Sequence, residues 1–127
     1  MKKIVALDFD GTVVTHEYPE VGKDVPNAVK TLRRLVDTGC RIILWTMRSD
    51  ETLQDAVAWF TDNEIPLWGV NENPEQKEWT NSPKAYAPLY IDDAALGCPL
   101  KPACNGERSF VDWFEVERQL EEKGLFV

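Results

Sequence analysis

The chain predicts an α/β fold: a three-layer sandwich around a central, mostly parallel sheet. Short apolar runs alternate with amphipathic segments at helical spacing, the order that gives parallel pairing. The runs Ile4-Val5-Ala6-Leu7 and Ile42-Ile43-Leu44 are continuously apolar, as strands covered on both faces should be. A hydrophobic fraction of 43% over 127 residues fills one core, so residues 1–127 read as one domain. No linker, repeat or low-complexity tract divides it.

Lys3 to Leu7 is the expected first strand, ending abruptly at Asp8. Thr12 to Asp24 is polar and holds Pro19 and Gly22, a loop whose flank Val13-Val14 suits a short hairpin arm. Pro26 suits the first residue of a helix; Val29, Leu32, Leu35 and Val36 give that helix its stripe, and Gly39 stops it. Arg41 to Thr46 is the second strand. Ser49 or Asp50 caps the next helix, which buries Leu53, Val57 and Phe60. Leu67 to Val70 is the third strand, Asn71 to Pro83 a polar loop, and Leu89 to Ile91 the fourth strand, ending at Asp92-Asp93. A loop rich in Gly, Pro and Cys follows, and Phe110 to Lys123 closes the chain as an amphipathic helix before Gly124.

The formal net charge of −8 argues against a nucleic-acid backbone binder, which needs a basic face. No stretch is long and apolar enough for a membrane span, and the first apolar run is too short for a secretory signal. Three cysteines, Cys40, Cys98 and Cys104, read as reduced thiols of a cytoplasmic protein. Cys98 and Cys104 could bracket a small disulfide loop or half a zinc site, but His16 is the sole histidine and no second pair completes such a site.

Three strands end in reactive residues: Asp8-Phe9-Asp10-Gly11-Thr12 after the first, Thr46-Met47-Arg48 after the second, Asp92-Asp93 after the fourth. In an open parallel sheet all these ends share one edge, where ligands bind. Asp8, Asp10, Asp92 and Asp93 therefore converge, and like charges so close raise one another's pKa. A hard divalent cation and a lysine are the simplest means of neutralising them. Oxygen-only donors favour magnesium over zinc, and Lys84, just before the fourth strand, is placed to add a fixed positive charge.

This ordered set resembles the haloacid dehalogenase (HAD) superfamily of phosphotransferases. Residues 8–13 match its first motif, Asp-x-Asp-Gly-Thr-Val; Thr46 matches the second, Lys84 the third and Asp92-Asp93 the fourth, over roughly residues 4–97. The resemblance implies a HAD-like Rossmannoid core and a magnesium-dependent phosphatase. Asp8 would take the phosphoryl group as an aspartyl-phosphate. Asp10 would protonate the leaving oxygen and then deprotonate water, and its main-chain carbonyl would ligate the metal. Gly11 and Thr12 would give a tight turn and backbone donors to phosphoryl oxygens. Thr46 would hydrogen-bond the phosphoryl group, and Lys84 would neutralise Asp8 and the phosphate. Asp93 would ligate magnesium directly, with Asp92 bound through water or holding Lys84.

Other residues carry two readings each. Arg48 either forks onto a substrate anion or pairs with Asp50 or Glu51 at the helix start. His16 reads as a solvated loop residue rather than a substrate contact. Met47 reads as pocket wall and Trp45 as core, while Trp79 either stacks on a substrate ring or anchors its loop.

Larger members of the family carry a cap domain. Here 36 positions separate Asp10 from Thr46 and 38 separate Thr46 from Lys84, mostly used by the core elements. A capless, open site is expected, closed by a large substrate, by a partner subunit of a homo-oligomer, or by segments 13–24 and 71–83. The substrate is then a phosphorylated metabolite, nucleotide or phosphoprotein. Two alternatives stand beside the phosphatase: a receiver-like phospho-acceptor signalling domain, disfavoured because the third strand ends Gly69-Val70-Asn71 without an acid, and a non-catalytic scaffold on the same fold.

Overall fold

A computed structural model describes residues 3–102 and 106–127 of the chain. Strands β1 (Ile4–Leu7), β2 (Arg41–Leu44), β3 (Gly69–Val70) and β4 (Leu89–Ile91) form one parallel sheet in the order β3-β2-β1-β4. Helix α1 (Ala28–Asp37) links β1 to β2, and α2 (Asp50–Asp62) links β2 to β3. Beyond β4, strands β5 (Leu100–Lys101) and β6 (Phe110–Val111) form an antiparallel pair that leads into α3 (Trp113–Glu122).

Strand alternation sorts the side chains into two layers. Val5, Leu7, Ile42, Leu44 and Ile91 join the larger core with Leu32 and Leu35 of α1, Phe60 of α2 and Leu120 of α3. The opposite face, through Ile4, Ala6 and Ile43, meets Ala87, Trp45 and Trp68 in a smaller cluster. Its cover is the connection from β3 to β4, which contains a single 3-10 turn, Gln76–Glu78. The three layers of the sandwich are thus helices, sheet and this connection. Buried amides hold the connection together: Gln76 Nε2 donates to the carbonyls of Ser82 (3.1 Å) and Lys84 (2.7 Å), and its Oε1 accepts from the Tyr86 amide (2.6 Å). Asn73 Nδ2 donates to the Tyr86 carbonyl at 3.0 Å.

Several element boundaries differ from those expected. Helix α1 begins at Ala28 rather than Pro26, because Asn27 takes a left-handed φ of 70° and donates its side-chain amide to Trp113 and Glu117 of α3. β2 and β3 are shorter than expected. Trp45 still donates its amide to the Leu7 carbonyl (2.8 Å), but the Thr46 amide turns to the Asn71 side chain. The last helix begins at Trp113, not Phe110. Asp112 caps it, accepting from the amides of Phe114 and Glu115, and Phe110-Val111 pair with Leu100-Lys101 instead.

Candidate functional site at the carboxyl edge of the sheet

β1, β2 and β3 run outward in one direction, and the chain then crosses back to place β4 on the far side of β1. The winding therefore reverses between β1 and β4, and such a switch point opens a crevice at the carboxyl ends of its strands. Asp8 follows β1; Asp92 and Asp93 follow β4. The Asp8 amide continues the ladder to the Ile91 carbonyl at 3.0 Å, which fixes the two strand ends side by side.

Between Asp8 and Asp10, alternation sends Phe9 inward. It is fully buried and meets Trp59 edge-on, with ring centroids 5.9 Å apart. This anchor leaves both aspartates facing the crevice. The next residues form a tight turn: the amides of Thr12 and Val13 donate to the Phe9 carbonyl, and Gly11 donates to Val14. Gly11 has φ +79°, and a Cβ there would lie 2.0 Å from His16 Nε2 and 2.6 Å from Asp93 Oδ2. Only glycine fits. The turn expected at Gly11 and Thr12 is present, but their amides are spent inside it and do not point to the cavity. The Thr12 hydroxyl instead ties the two strand ends together, donating to Asp8 Oδ2 at 2.8 Å and accepting from the Asp93 amide at 3.1 Å.

A cavity of about 820 Å³ lies over this edge, lined among others by Asp8, Asp10, His16, Trp45, Thr46, Met47, Arg48, Asn71, Asp92, Asp93 and Arg108. Within it the four carboxylates divide into two groups. Oxygens of Asp8, Asp92 and Asp93 lie within 4.8 Å of one another, a spacing that a cation can bridge. Burial pushes the Asp8 carboxyl up to about 8; the Thr12 hydroxyl opposes this, and the charges of Asp92 and Asp93 add to it. Burial likewise raises Asp92, against the pull of the Ala94 amide and with help from Asp93.

Asp10 is not in that trio. Its Oδ2 accepts from Arg48 Nε and its Oδ1 from Arg48 Nη2, both at 2.8 Å. Arg48 therefore neither pairs with Asp50 or Glu51 nor waits for an anion. Its side chain is 1% exposed and also donates to the carbonyls of Pro19, Glu20 and Thr52. Of Asp10 only the main-chain oxygen is left for the metal role expected of it.

Two further placements differ from the sequence reading. Lys84 does not line the cavity; it is exposed, with its ammonium 5.6 Å from the centre of the Tyr90 ring. The Gln76 amide grips the Lys84 carbonyl and sets the course of the chain there. His16 is not solvated: its Nε2 lies 2.9 Å from Asp93 Oδ2. The arm expected at Val13-Val14 folds segment 13–24 back through a Val14–Asp24 bridge, bringing His16 over Gly11. Thr46 lines the cavity and its hydroxyl accepts from the Arg48 amide at 3.2 Å, while Met47, fully exposed, stands at the rim. Asn71 and Arg108 also line the cavity and were not singled out from sequence. Asn71 carried a signal, an asparagine at a strand end, and it takes the left-handed φ of 55° that asparagine tolerates. Arg108 lay in a loop with no motif. Cys40 and Cys98 are free thiols; Cys104 lies outside the described residues.

Fold and site together define a class: a Rossmann-like α/β protein with an acidic cluster at the switch point of its parallel sheet. No family model matches the chain, and no curated protein does. Among solved structures it is similar to a conserved protein from Bacteroides thetaiotaomicron, at 32% identity and a TM-score of 0.80, over 97% of this chain and 93% of that one. The chain belongs to the same family as that protein. Among the described residues no helix is long and apolar enough to cross a membrane.

Proposed function

We propose that the chain is a magnesium-dependent phosphomonoester hydrolase of the haloacid dehalogenase type, acting through an aspartyl-phosphate on Asp8 in the cytoplasm. The observation that carries the reading is the grouping of Asp8, Asp92 and Asp93 within 4.8 Å at the switch point. The donors are all hard oxygens, and the rise of the Asp8 carboxyl is the electrostatic cost that a dication would relieve. Asp8, Asp92 and Asp93, with the Asp10 carbonyl, would hold magnesium. When bound, the ion masks negative charge so that a carboxylate can approach a phosphoryl dianion.

An oxygen of Asp8 attacks phosphorus as the bond to the ester oxygen breaks, and the leaving oxygen takes a proton that Asp10 must carry into this step as its neutral acid, the Arg48 fork then stabilising the carboxylate that forms. Water then attacks phosphorus, gives its proton to Asp10, and the bond to Asp8 breaks. The Arg48 fork orients Asp10 without exhausting it, since each carboxylate oxygen keeps a second lone pair. Thr12 fixes the rotamer of Asp8, and Thr46 offers its hydroxyl to a phosphoryl oxygen. The open cavity admits a phosphorylated metabolite, nucleotide or phosphoprotein.

The test is turnover of p-nitrophenyl phosphate with magnesium, together with mass spectrometry for a phosphoryl adduct on Asp8. Hydrolysis with that adduct is expected; no turnover of any phosphomonoester across a broad panel would refute the reading. The position of Lys84 outside the cavity favours one competitor, a non-catalytic anion-binding scaffold. That competitor predicts phosphate binding with no turnover.

A further inference from the structure

Building on the phosphatase reading, we propose that Arg108 binds the anionic group of the substrate, the task that the sequence motif assigns to Lys84. A phosphoryl dianion entering a cavity lined by four aspartates needs a positive partner that faces it. Two arginines line that cavity. A guanidinium has five N–H donors, and Arg48 has committed all of its own: Nε to Asp10, Nη2 to Asp10 and Glu20, Nη1 to Pro19 and Thr52. Releasing any of them would strip a partner from the Asp10 carboxylate or from a main-chain carbonyl. Arg108 is exposed and has no hydrogen bond or ion pair with any described residue. Its fork is therefore free to meet two oxygens of one phosphate.

The backbone shows why this arginine is delivered to the site. Three residues further on, the Val111 amide donates to the Gly11 carbonyl at 3.1 Å, and Trp113 Nε1 donates to the Thr12 carbonyl at 2.6 Å. The start of α3 is thereby bolted to the turn that carries Asp8 and Asp10. Three residues of extended chain reach at most about 10 Å, so Arg108 stays near that turn.

The experiment is calorimetric titration of inorganic phosphate, with magnesium in excess, into the wild-type chain and into Arg108→Gln, Arg108→Lys and Lys84→Gln. Arg108→Gln should weaken phosphate about tenfold or more, and Arg108→Lys should recover part of the loss by restoring charge without the fork. Because Arg108 is exposed, the variants should fold, as circular dichroism would check. The proposal is overturned if the wild-type chain does not bind phosphate, if Arg108→Gln binds as the wild type does, or if the loss falls on Lys84→Gln instead. Phosphate binding that needs Arg108 but comes with no ester turnover upholds the arginine and removes the phosphatase. Turnover with unchanged phosphate affinity and KM in Arg108→Gln does the reverse.

Discussion

Asp8 and Asp10 are two residues apart, carry the same group and keep opposite company. Asp10 meets the Arg48 guanidinium at both oxygens, an ion pair complete within the chain. The Asp8 carboxyl is raised to about 8 by its burial first, with the charges of Asp92 and Asp93 adding to it and only the Thr12 hydroxyl opposing. His16 touches Asp93 rather than Asp8. One half of the site is electrostatically finished, and the other is short of positive charge. That asymmetry sorts the motif into an aspartate held by an arginine and an acidic cluster whose oxygens a cation could bridge, and each half can be tested alone.

The largest expected effect is on chemistry. Asp8→Asn keeps size and shape but removes the proposed nucleophile, so on that proposal hydrolysis of an aryl phosphate should fall at least about a thousandfold. The melting temperature should hold near neutral pH, where the Asp8 carboxyl keeps its proton, and rise at alkaline pH, where the substitution removes one of three crowded charges. Retained turnover would exclude Asp8 as the phosphoryl acceptor.

Next in size is the finished half. Arg48→Ala leaves Asp10 beside a lost partner and orphans the carbonyls of Pro19, Glu20 and Thr52. Removing one member of a fully buried pair costs about 3–5 kcal/mol; with Asp10 20% exposed, the loss here should be on the order of 2 kcal/mol. Denaturant unfolding should show that loss, with Arg48→Lys falling between, since lysine keeps the charge and loses the fork. A cost under about 0.5 kcal/mol would mean that the pair contributes nothing to the fold.

The unfinished half should appear in the pH dependence. With the Asp8 carboxyl at about 8 in the folded chain and 3.8 as its reference, the folded state holds a proton that the unfolded state has lost between those values. This contribution is greatest below pH 4, is lost as the pH rises, and is gone above 8. In EDTA, stability should decline over that window with a slope of at most about 1.4 kcal/mol per pH unit, and Asp8→Asn should flatten it. Magnesium should raise the melting temperature most at the alkaline end, where the trio is fully charged. A flat profile, or a magnesium response equal at pH 5 and pH 8, would contradict a cation site at the trio.

The convergence of Asp8, Asp10, Asp92 and Asp93 was legible in the sequence because parallel strands put all their carboxyl ends on one edge. Their division into a pair and a trio was not. It depends on where Arg48 points, and that is set by the carbonyls of Pro19 and Glu20 once segment 13–24 has folded back. The same folding moves His16 from solvent to Asp93, a contact between positions 77 apart that no local pattern encodes. The helices were legible from their stripes. The start of the last one is legible too, since Asp112-Trp113-Phe114-Glu115 is a capping sequence. The cover of the second sheet face was hidden for a different reason. It is held by the polar residues Asn73 and Gln76, both of which read as exposed loop and are 6% exposed.

The smallest effect concerns Lys84. The motif order places a lysine next to Asp8, while the structure leaves it exposed over Tyr90. An exposed cation–π contact is worth about 0.5–1 kcal/mol, so Lys84→Gln should cost no more than that. Its sharper consequence is for the pH profile. A lysine within reach of the trio would hold the Asp8 carboxyl down, and removing it would extend the window of declining stability to higher pH. With Lys84 elsewhere, the EDTA profile of Lys84→Gln should overlay that of the wild type once offset by the small constant cost. A window that lengthens in this variant would put Lys84 back among the carboxylates and erase the asymmetry between the two halves of the site.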